Sequence, residues 1–183
     1  MNKIIAIVGM CGSGKSVANK FFEEKGYQVI YFGGVTMKKL KEERFDITPE
    51  NEKMMREKLR KDLGMGAYAI VLLDDIKKAL EKGNVVLDGV YSWSELKILE
   101  KEFPNIKVLS IVVDKIIRYE RLENRVVRPF TNEQAIKRDV SEIENLEKGG
   151  PICYADYFIL NNDDEDKYKL RLENIYSKIE KRN

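Results

Sequence analysis

Gly9-Met10-Cys11-Gly12-Ser13-Gly14-Lys15-Ser16 fills the pattern GxxxxGK[ST] without a gap. That spacing is suited to gripping a polyphosphate. Glycines let the backbone curl close enough for its N–H groups to point inward at phosphate oxygens. Lys15 is placed to reach the β- and γ-phosphates, and the Ser16 hydroxyl to ligate Mg²⁺. The nucleotide-contacting run is expected to extend from Gly9 to Val17, with ATP and Mg²⁺ as the cofactors. A plain glycine-rich turn between a strand and a helix is the competing reading of the same string.

Further along, Asp88 ends the apolar run Val85–Leu87. A carboxylate at the carboxyl end of a strand beside the phosphate loop can hold Mg²⁺ directly or through water. The same Asp-Gly step could equally serve only as a turn. Arg118, Arg121, Arg125 and Arg128 are spaced 3, 4 and 3 residues apart, which places them along one helical face. Planar guanidinium groups can neutralise the charge that builds on a transferring phosphoryl group. A solvated face interleaved with Glu120 and Glu123 is the alternative.

The elements that must position these residues alternate along the chain. Short Val/Ile-rich runs predict strands at Lys3–Val8, Gln28–Phe32, Val85–Asp88, Lys107–Val113 and Tyr157–Leu160. Helical patterns fill the gaps at Ser16–Lys25, Met37–Arg44, Pro49–Leu63, Ala67–Lys82 and Ser94–Glu102. Asp114 caps a helix expected to reach about Val127, where Arg128-Pro129 breaks it. Thr131-Asn132-Glu133-Gln134 has capping-box form and starts a helix expected to stop near Gly149-Gly150-Pro151. A last helix covers about Asp166–Lys181. Strands alternating with helices predict a three-layer α/β/α fold around a five-stranded parallel sheet, with ligands at the carboxyl ends of the strands.

Composition narrows the partners. The 183 residues carry 33 Lys plus Arg against 31 Asp plus Glu, a net charge of +2. That balance creates no whole-molecule field for nucleic acid or an anionic membrane. Cys11 and Cys153 stand far apart with no metal-binding spacing, and there is no histidine, which removes a His general base and any His-ligated metal. Cys11 lies inside the phosphate loop near a helix N-terminus, a setting that can activate a thiol, or it is simply a variable position of the loop. No apolar run approaches the roughly 20 residues that span a bilayer. Met1-Asn2-Lys3 leads straight into the first expected strand, so no signal peptide is expected and the chain reads as cytoplasmic. The sequence sets no oligomeric state.

In order along nearly the whole chain, Ile5-Ala6-Ile7-Val8-Gly9 with Gly14-Lys15-Ser16, then Val86-Leu87-Asp88-Gly89, Arg118-Tyr119-Glu120-Arg121-Leu122 with Arg125, Arg138-Asp139, and Ala155–Asn161 resemble the nucleoside monophosphate kinase branch of P-loop proteins. The likeness is to its adenylate-kinase-related and dephospho-CoA-kinase-like members. The phosphate loop is specific on its own; the other strings gain weight from their order. The resemblance implies a single P-loop kinase domain over 1–183 with a small helical lid at about 115–148 and an acceptor-binding region at about 33–66. It assigns Arg125 and Arg128 to the lid and Arg138 to the following helix, where an arginine reaches the phosphates. Arg118 and Arg121 are read as structural. It makes Lys15, Asp88 and these three arginines the expected catalytic set, with Ser16 and Asp88 at the metal.

In this branch the acceptor lies over the sheet, next to the segment after the second strand. Here that segment offers Gly33 and Gly34, which permit close approach of a base or phosphate, and Lys38, with Arg56 and Arg60 one helical turn apart on the next helix. A glycine turn and surface solvation of the three cations are the alternatives. Dephospho-CoA kinases carry an aspartate just after the second strand as the base for a sugar hydroxyl. This chain has Gly33-Gly34 and no carboxylate until Glu42. A hydroxyl acceptor gains from a positioned base, whereas a monophosphate with a second pKa of about 6 is already ionised. The expected reaction is therefore transfer of the ATP γ-phosphoryl group to a nucleoside monophosphate or similar small nucleotide. Dephospho-CoA kinase activity is the alternative, and a nucleotide-binding regulator without kinase activity is a further one. Asn161-Asn162-Asp163-Asp164 lacks the lysine of the guanine-specific NKxD motif. Nucleic acid as a partner is disfavoured by the charge balance, and a membrane by the absence of a spanning segment.

Overall fold

The computed structural model describes residues 2–181; Met1, Arg182 and Asn183, at the ends of the expected domain, lie outside the described residues. Among those residues, parallel strands β1 (Ile4–Val8), β2 (Gln28–Tyr31), β3 (Val85–Asp88), β4 (Lys107–Val112) and β5 (Tyr157–Leu160) form one sheet in the order β2-β3-β1-β4-β5. β1 is central and every one of its side chains is buried. Its residues alternate between two cores, Ile4, Ala6 and Val8 in one and Ile5 and Ile7 in the other. A strand covered on both faces needs apolar residues at every position, which is why it reads as an unbroken run.

The first core is closed by α2 (Gly34–Glu42), α3 (Pro49–Leu63), α4 (Ala67–Lys82) and α5 (Trp93–Glu102), through residues such as Leu40, Met55, Ile76 and Leu96. The second is closed by α1 (Lys15–Glu24) and α9 (Glu165–Lys181), through Ala18, Phe22, Tyr168 and Leu172. The three-layer α/β/α sheet architecture expected from the alternation of elements is the observed one. Because β1 pairs with β3 on one side and β4 on the other, the chain's path reverses at β1, and that reversal opens a crevice at the strands' carboxyl ends.

Three helices differ from expectation. α2 begins at Gly34 rather than Met37, because Gly33 already adopts right-handed helical angles (φ −60°, ψ −22°) and the glycine pair starts the helix. α6 (Lys115–Glu123) stops before Val127: Asn124 ends it, and Phe130 N–H returns to the Leu122 carbonyl at 3.0 Å. α7 (Asn132–Glu144) ends early, and Gly149-Gly150-Pro151, expected to be a stop, instead begins α8 (Gly149–Cys153). Pro151 falls in the first turn of α8, where its missing N–H has no intrahelical partner to lose. Gly150 lets α8 lie on the Trp93 side chain, where an added Cβ would come within 2.8 Å.

Candidate active site

The phosphate loop leaves β1 at Gly9 and enters α1 at Gly14, both at positive φ (149° and 92°). Close approach reinforces the backbone requirement. A Cβ on Gly9 would stand 2.6 Å from the Ile111 carbonyl, and one on Gly14 would stand 2.5 Å from Asn161 Nδ2. The loop is pinned from behind: Asn161 Nδ2 donates to the Ser13 carbonyl (3.0 Å) and Tyr168 Oη to the Gly14 carbonyl (3.2 Å). Lys15 Nζ folds back over the loop to the carbonyls of Gly9 (2.9 Å) and Met10 (3.1 Å). Burial, together with repulsion from Lys148, pushes the Lys15 pKa down to about 8.

Two further observations suit this loop to an anion. α1 has no acidic residue in its first turn and no side-chain cap, so the positive end of its dipole is uncompensated by the chain. Ser13 is buried and its Oγ has no hydrogen-bond partner. Asp88 stands at the end of β3, in register with Ile7, two residues before the loop begins at Gly9. The Ser16 residue is exposed at the start of α1. Among the described residues no three His, Cys, Asp or Glu side chains cluster as a metal site. A cation here would have to take most of its ligands from phosphate oxygens and water, which is the habit of Mg²⁺.

A cavity of about 590 Å³ gathers guanidinium groups from three parts of the chain: Arg56 and Arg60 of α3, Arg128 of the segment after α6, and Arg138 of α7. Gly33, Thr36 and Met37 line one part of it, and Tyr68 and Tyr91 another. Arg60 lies over the Tyr68 ring (5.3 Å to the centroid), and Tyr68 Oη shares a 2.7 Å hydrogen bond with Thr36 Oγ1. The Arg60 Nε is buried with no partner. Arg56 Nη1 pairs with Glu52 at 3.3 Å, and Glu52 and Glu57 also line the cavity. Tyr91 follows the β3-terminal Asp88 by three residues, and Arg138 neighbours Asp139, whose partner Arg118 donates to the Cys11 carbonyl, so the cavity adjoins the phosphate loop.

Of the residues expected at the acceptor, Gly33, Arg56 and Arg60 line this cavity, and Arg128 and Arg138 join them. Lys38 does not: its exposed ammonium lies 3.9 Å from Asp75 outside the cavity. Gly34 is the first residue of α2 and is likewise off the lining. Arg125 is exposed, and the expected four-arginine face does not exist because α6 ends at Glu123. Arg118 turns inward, donating to both Asp139 oxygens (3.0 and 2.6 Å) and to the Cys11 carbonyl (3.0 Å). It thereby ties α6 and α7 to the phosphate loop. Sequence reasoning missed Glu142 and Lys148. Glu142 accepts from Arg138 Nε (2.8 Å) and Lys148 Nζ (2.6 Å), both of its ion pairs forming while it is fully buried. The signal was the spacing of Ala135, Asp139 and Glu142, one inward face of α7 carrying two acids that must find cations.

Residues 5–146 match the AAA domain family AAA_18. The UPF0200 protein of Pyrococcus abyssi is 38% identical over 181 residues, covering 96% of each chain. The chain is a UPF0200-family AAA-domain protein. Two solved structures share its architecture. Shikimate kinase from Acinetobacter baumannii, solved in complex with shikimate, gives a TM-score of 0.61 at 18% identity, over 97% of this chain and 95% of that one. Dephospho-CoA kinase from Campylobacter jejuni gives 0.56 at 16% identity, over 97% of each. At those identities the likeness establishes a P-loop kinase-like fold, as the phosphate loop and the order of motifs imply. No helix among the described residues is long and apolar enough to cross a membrane.

Proposed function

We propose that this family member is an ATP-dependent phosphotransferase whose acceptor is a small molecule presenting a phosphate, of the nucleoside monophosphate class. The supporting observation is the cavity beside the phosphate loop, where Arg56, Arg60, Arg128 and Arg138 converge and the Arg60 Nε lies buried with no partner. Four guanidiniums and the Lys53 ammonium against the two carboxylates of Glu52 and Glu57 leave a positive surplus. A dianionic acceptor would satisfy it with bidentate, charge-assisted bonds. Thr36, Tyr68 and Tyr91 provide the polar and aromatic surface a nucleobase requires.

ATP would lie along Gly9–Val17, its phosphates on the loop N–H groups and Lys15. Mg²⁺, supplied with the nucleotide, would neutralise phosphate charge, with Ser16 and Asp88 as the groups at hand. Arg128 and Arg138 would hold the transferring group and acceptor in line, so positioning and electrostatics provide most of the acceleration. The segment at about 115–148 is proposed as the lid and that at about 33–66 as the acceptor-binding region of a single domain. The cytoplasm, where ATP is abundant, is the proposed setting.

Glu52 and Glu57 favour a second reading. Either could serve as base for a hydroxyl acceptor, as dephospho-CoA would offer, although Glu52 is engaged by Arg56. ADP release measured across nucleoside monophosphates and dephospho-CoA separates the two. Turnover with at least one monophosphate, with an acceptor KM raised tenfold or more in Arg60→Met and the ATP KM unchanged, is the expected result. Turnover of dephospho-CoA alone selects the hydroxyl reading. ATP hydrolysis that no acceptor accelerates rejects both.

A further inference from the structure

Between the phosphate loop and the arginine cavity lies a group of buried charges for which the loop motif accounts only in part. Lys148 is 2% exposed, yet it carries an ammonium there, paired with Glu142 at 2.6 Å and resting 4.5 Å from the centroid of the Tyr91 ring. Glu142 is shared, because Arg138 Nε takes its other oxygen at 2.8 Å. Burial would raise the Glu142 pKa, but its two cations outweigh burial and hold the carboxyl below the usual range. Burial lowers the Lys148 pKa against the pull of Glu142, and Lys148 in turn opposes the charge on Lys15.

The charges do not balance. Lys15, Lys148 and Arg138 bring three positive charges, while Glu142 and the nearby Asp88 bring two negative ones. An ammonium has three donors, and one carboxylate oxygen occupies one of them. Arg138 opens to solvent at the cavity, its side chain 46% exposed, so the unmet demand lies with the buried Lys148 ammonium, whose unused donors are costly unless an anion completes them. The location identifies which part of the anion. Tyr91 and Arg138 line the acceptor cavity, while Asp139, one turn before Glu142 on α7, holds the Arg118 that donates to the Cys11 carbonyl of the phosphate loop. Lys148 therefore stands where a terminal phosphate on the loop would face the acceptor.

We propose that Lys148 is a phosphate-binding residue that donates to the γ-phosphate of the bound triphosphate, and that Glu142 is the positioning residue that aims Lys148 and Arg138 at it. The proposal rests on the reading of the loop and cavity as an ATP-dependent phosphotransferase site. It adds a second lysine from outside the phosphate-loop motif, delivered by the short helix α8 that Lys148 precedes.

The test is calorimetric binding of Mg²⁺ with a non-hydrolysable ATP analogue, and separately with ADP, to wild type, Lys148→Met and Lys148→Arg. For Lys148→Met the expected result is a loss of about tenfold or more in analogue affinity, with ADP affinity held within about twofold. Lys148→Arg should recover part of the loss. ADP binding doubles as the check that the loop is folded. Should the single Met variant not fold, the pair Glu142→Gln with Lys148→Met removes both buried charges, and the same loss selective for the triphosphate is expected. Equal loss for both nucleotides in folded protein makes Lys148 a structural prop and overturns the proposal, as does no loss at all. A wild type that binds neither nucleotide overturns the phosphotransferase reading itself, a distinct outcome.

Discussion

At the scale of single residues, the shape of the Gly9–Lys15 loop was legible because it is carried by the backbone and by consecutive side chains. Gly9, Gly14 and Lys15 take their positions from local geometry, and nothing distant has to be known to place them. Arg56 and Arg60 were legible by their one-turn spacing on α3, but Lys38 was not separable from them, since charge alone does not tell which helical face meets the cavity. Lys15 makes a specific prediction. Its native pKa of about 8 lies below the ordinary lysine value of 10.5, so between those values the unfolded state binds more protons than the native one. Its contribution to folding stability is least favourable below pH 8 and rises with pH from about 8 to 10.5. Binding runs the other way. A triphosphate prefers the charged ammonium, so ATP binding at pH 8.5 should take up a proton, and affinity should fall as pH rises past 8. Calorimetry at pH 8.5 in buffers of different ionisation heat measures that uptake; it should vanish in Lys15→Met, with affinity reduced about a hundredfold or more.

At the scale of elements, each strand appeared within a residue of its expected bounds, as did α3 and α4, because apolar runs and terminal glycines are local signals. The segment from 115 to 153 was harder. The arginine spacing of 3, 4 and 3 implied a helix that in fact ends at Glu123, and the glycine-proline string at 149–151 concealed α8. The first goes with the chain's return from Phe130 to the Leu122 carbonyl, and the second with Gly150 lying on Trp93. The Arg118–Asp139 pair joins α6, α7 and the loop, and it is largely buried on both sides. Removing one partner leaves the other charge stranded, so Asp139→Ala should cost about 3–5 kcal/mol in urea unfolding. Replacing both, as Arg118→Met with Asp139→Leu, should recover much of that stability. ATP affinity should not recover, because Arg118 also holds the loop through the Cys11 carbonyl. Equal stability of the single variant and wild type would show that the pair contributes nothing to the fold.

At the scale of the whole molecule, the alternation of strands and helices implied the parallel sheet, and β1 at its centre places the loop at the reversal of the chain's path. What the sequence left hidden was convergence: Arg56 and Arg138 are 82 positions apart and meet only because α3 and α7 border one cavity. A ligand spanning loop and cavity should stabilise the entire chain. ATP with Mg²⁺ at about 100 times its Kd adds about 2.7 kcal/mol, which for a chain of this size corresponds to a rise of about 5–10 °C in Tm. A monophosphate acceptor added with ADP should raise it further, and an unchanged Tm would argue against a shared site. The central claim is that the γ-phosphoryl group moves to a phosphate. The most direct measurement follows the reaction of ATP, Mg²⁺ and a monophosphate panel by ³¹P NMR. The account predicts that the acceptor monoester signal converts to the paired, mutually coupled signals of a diphosphate. A new uncoupled monoester signal on a hydroxyl acceptor, or inorganic phosphate as the only product, would contradict it.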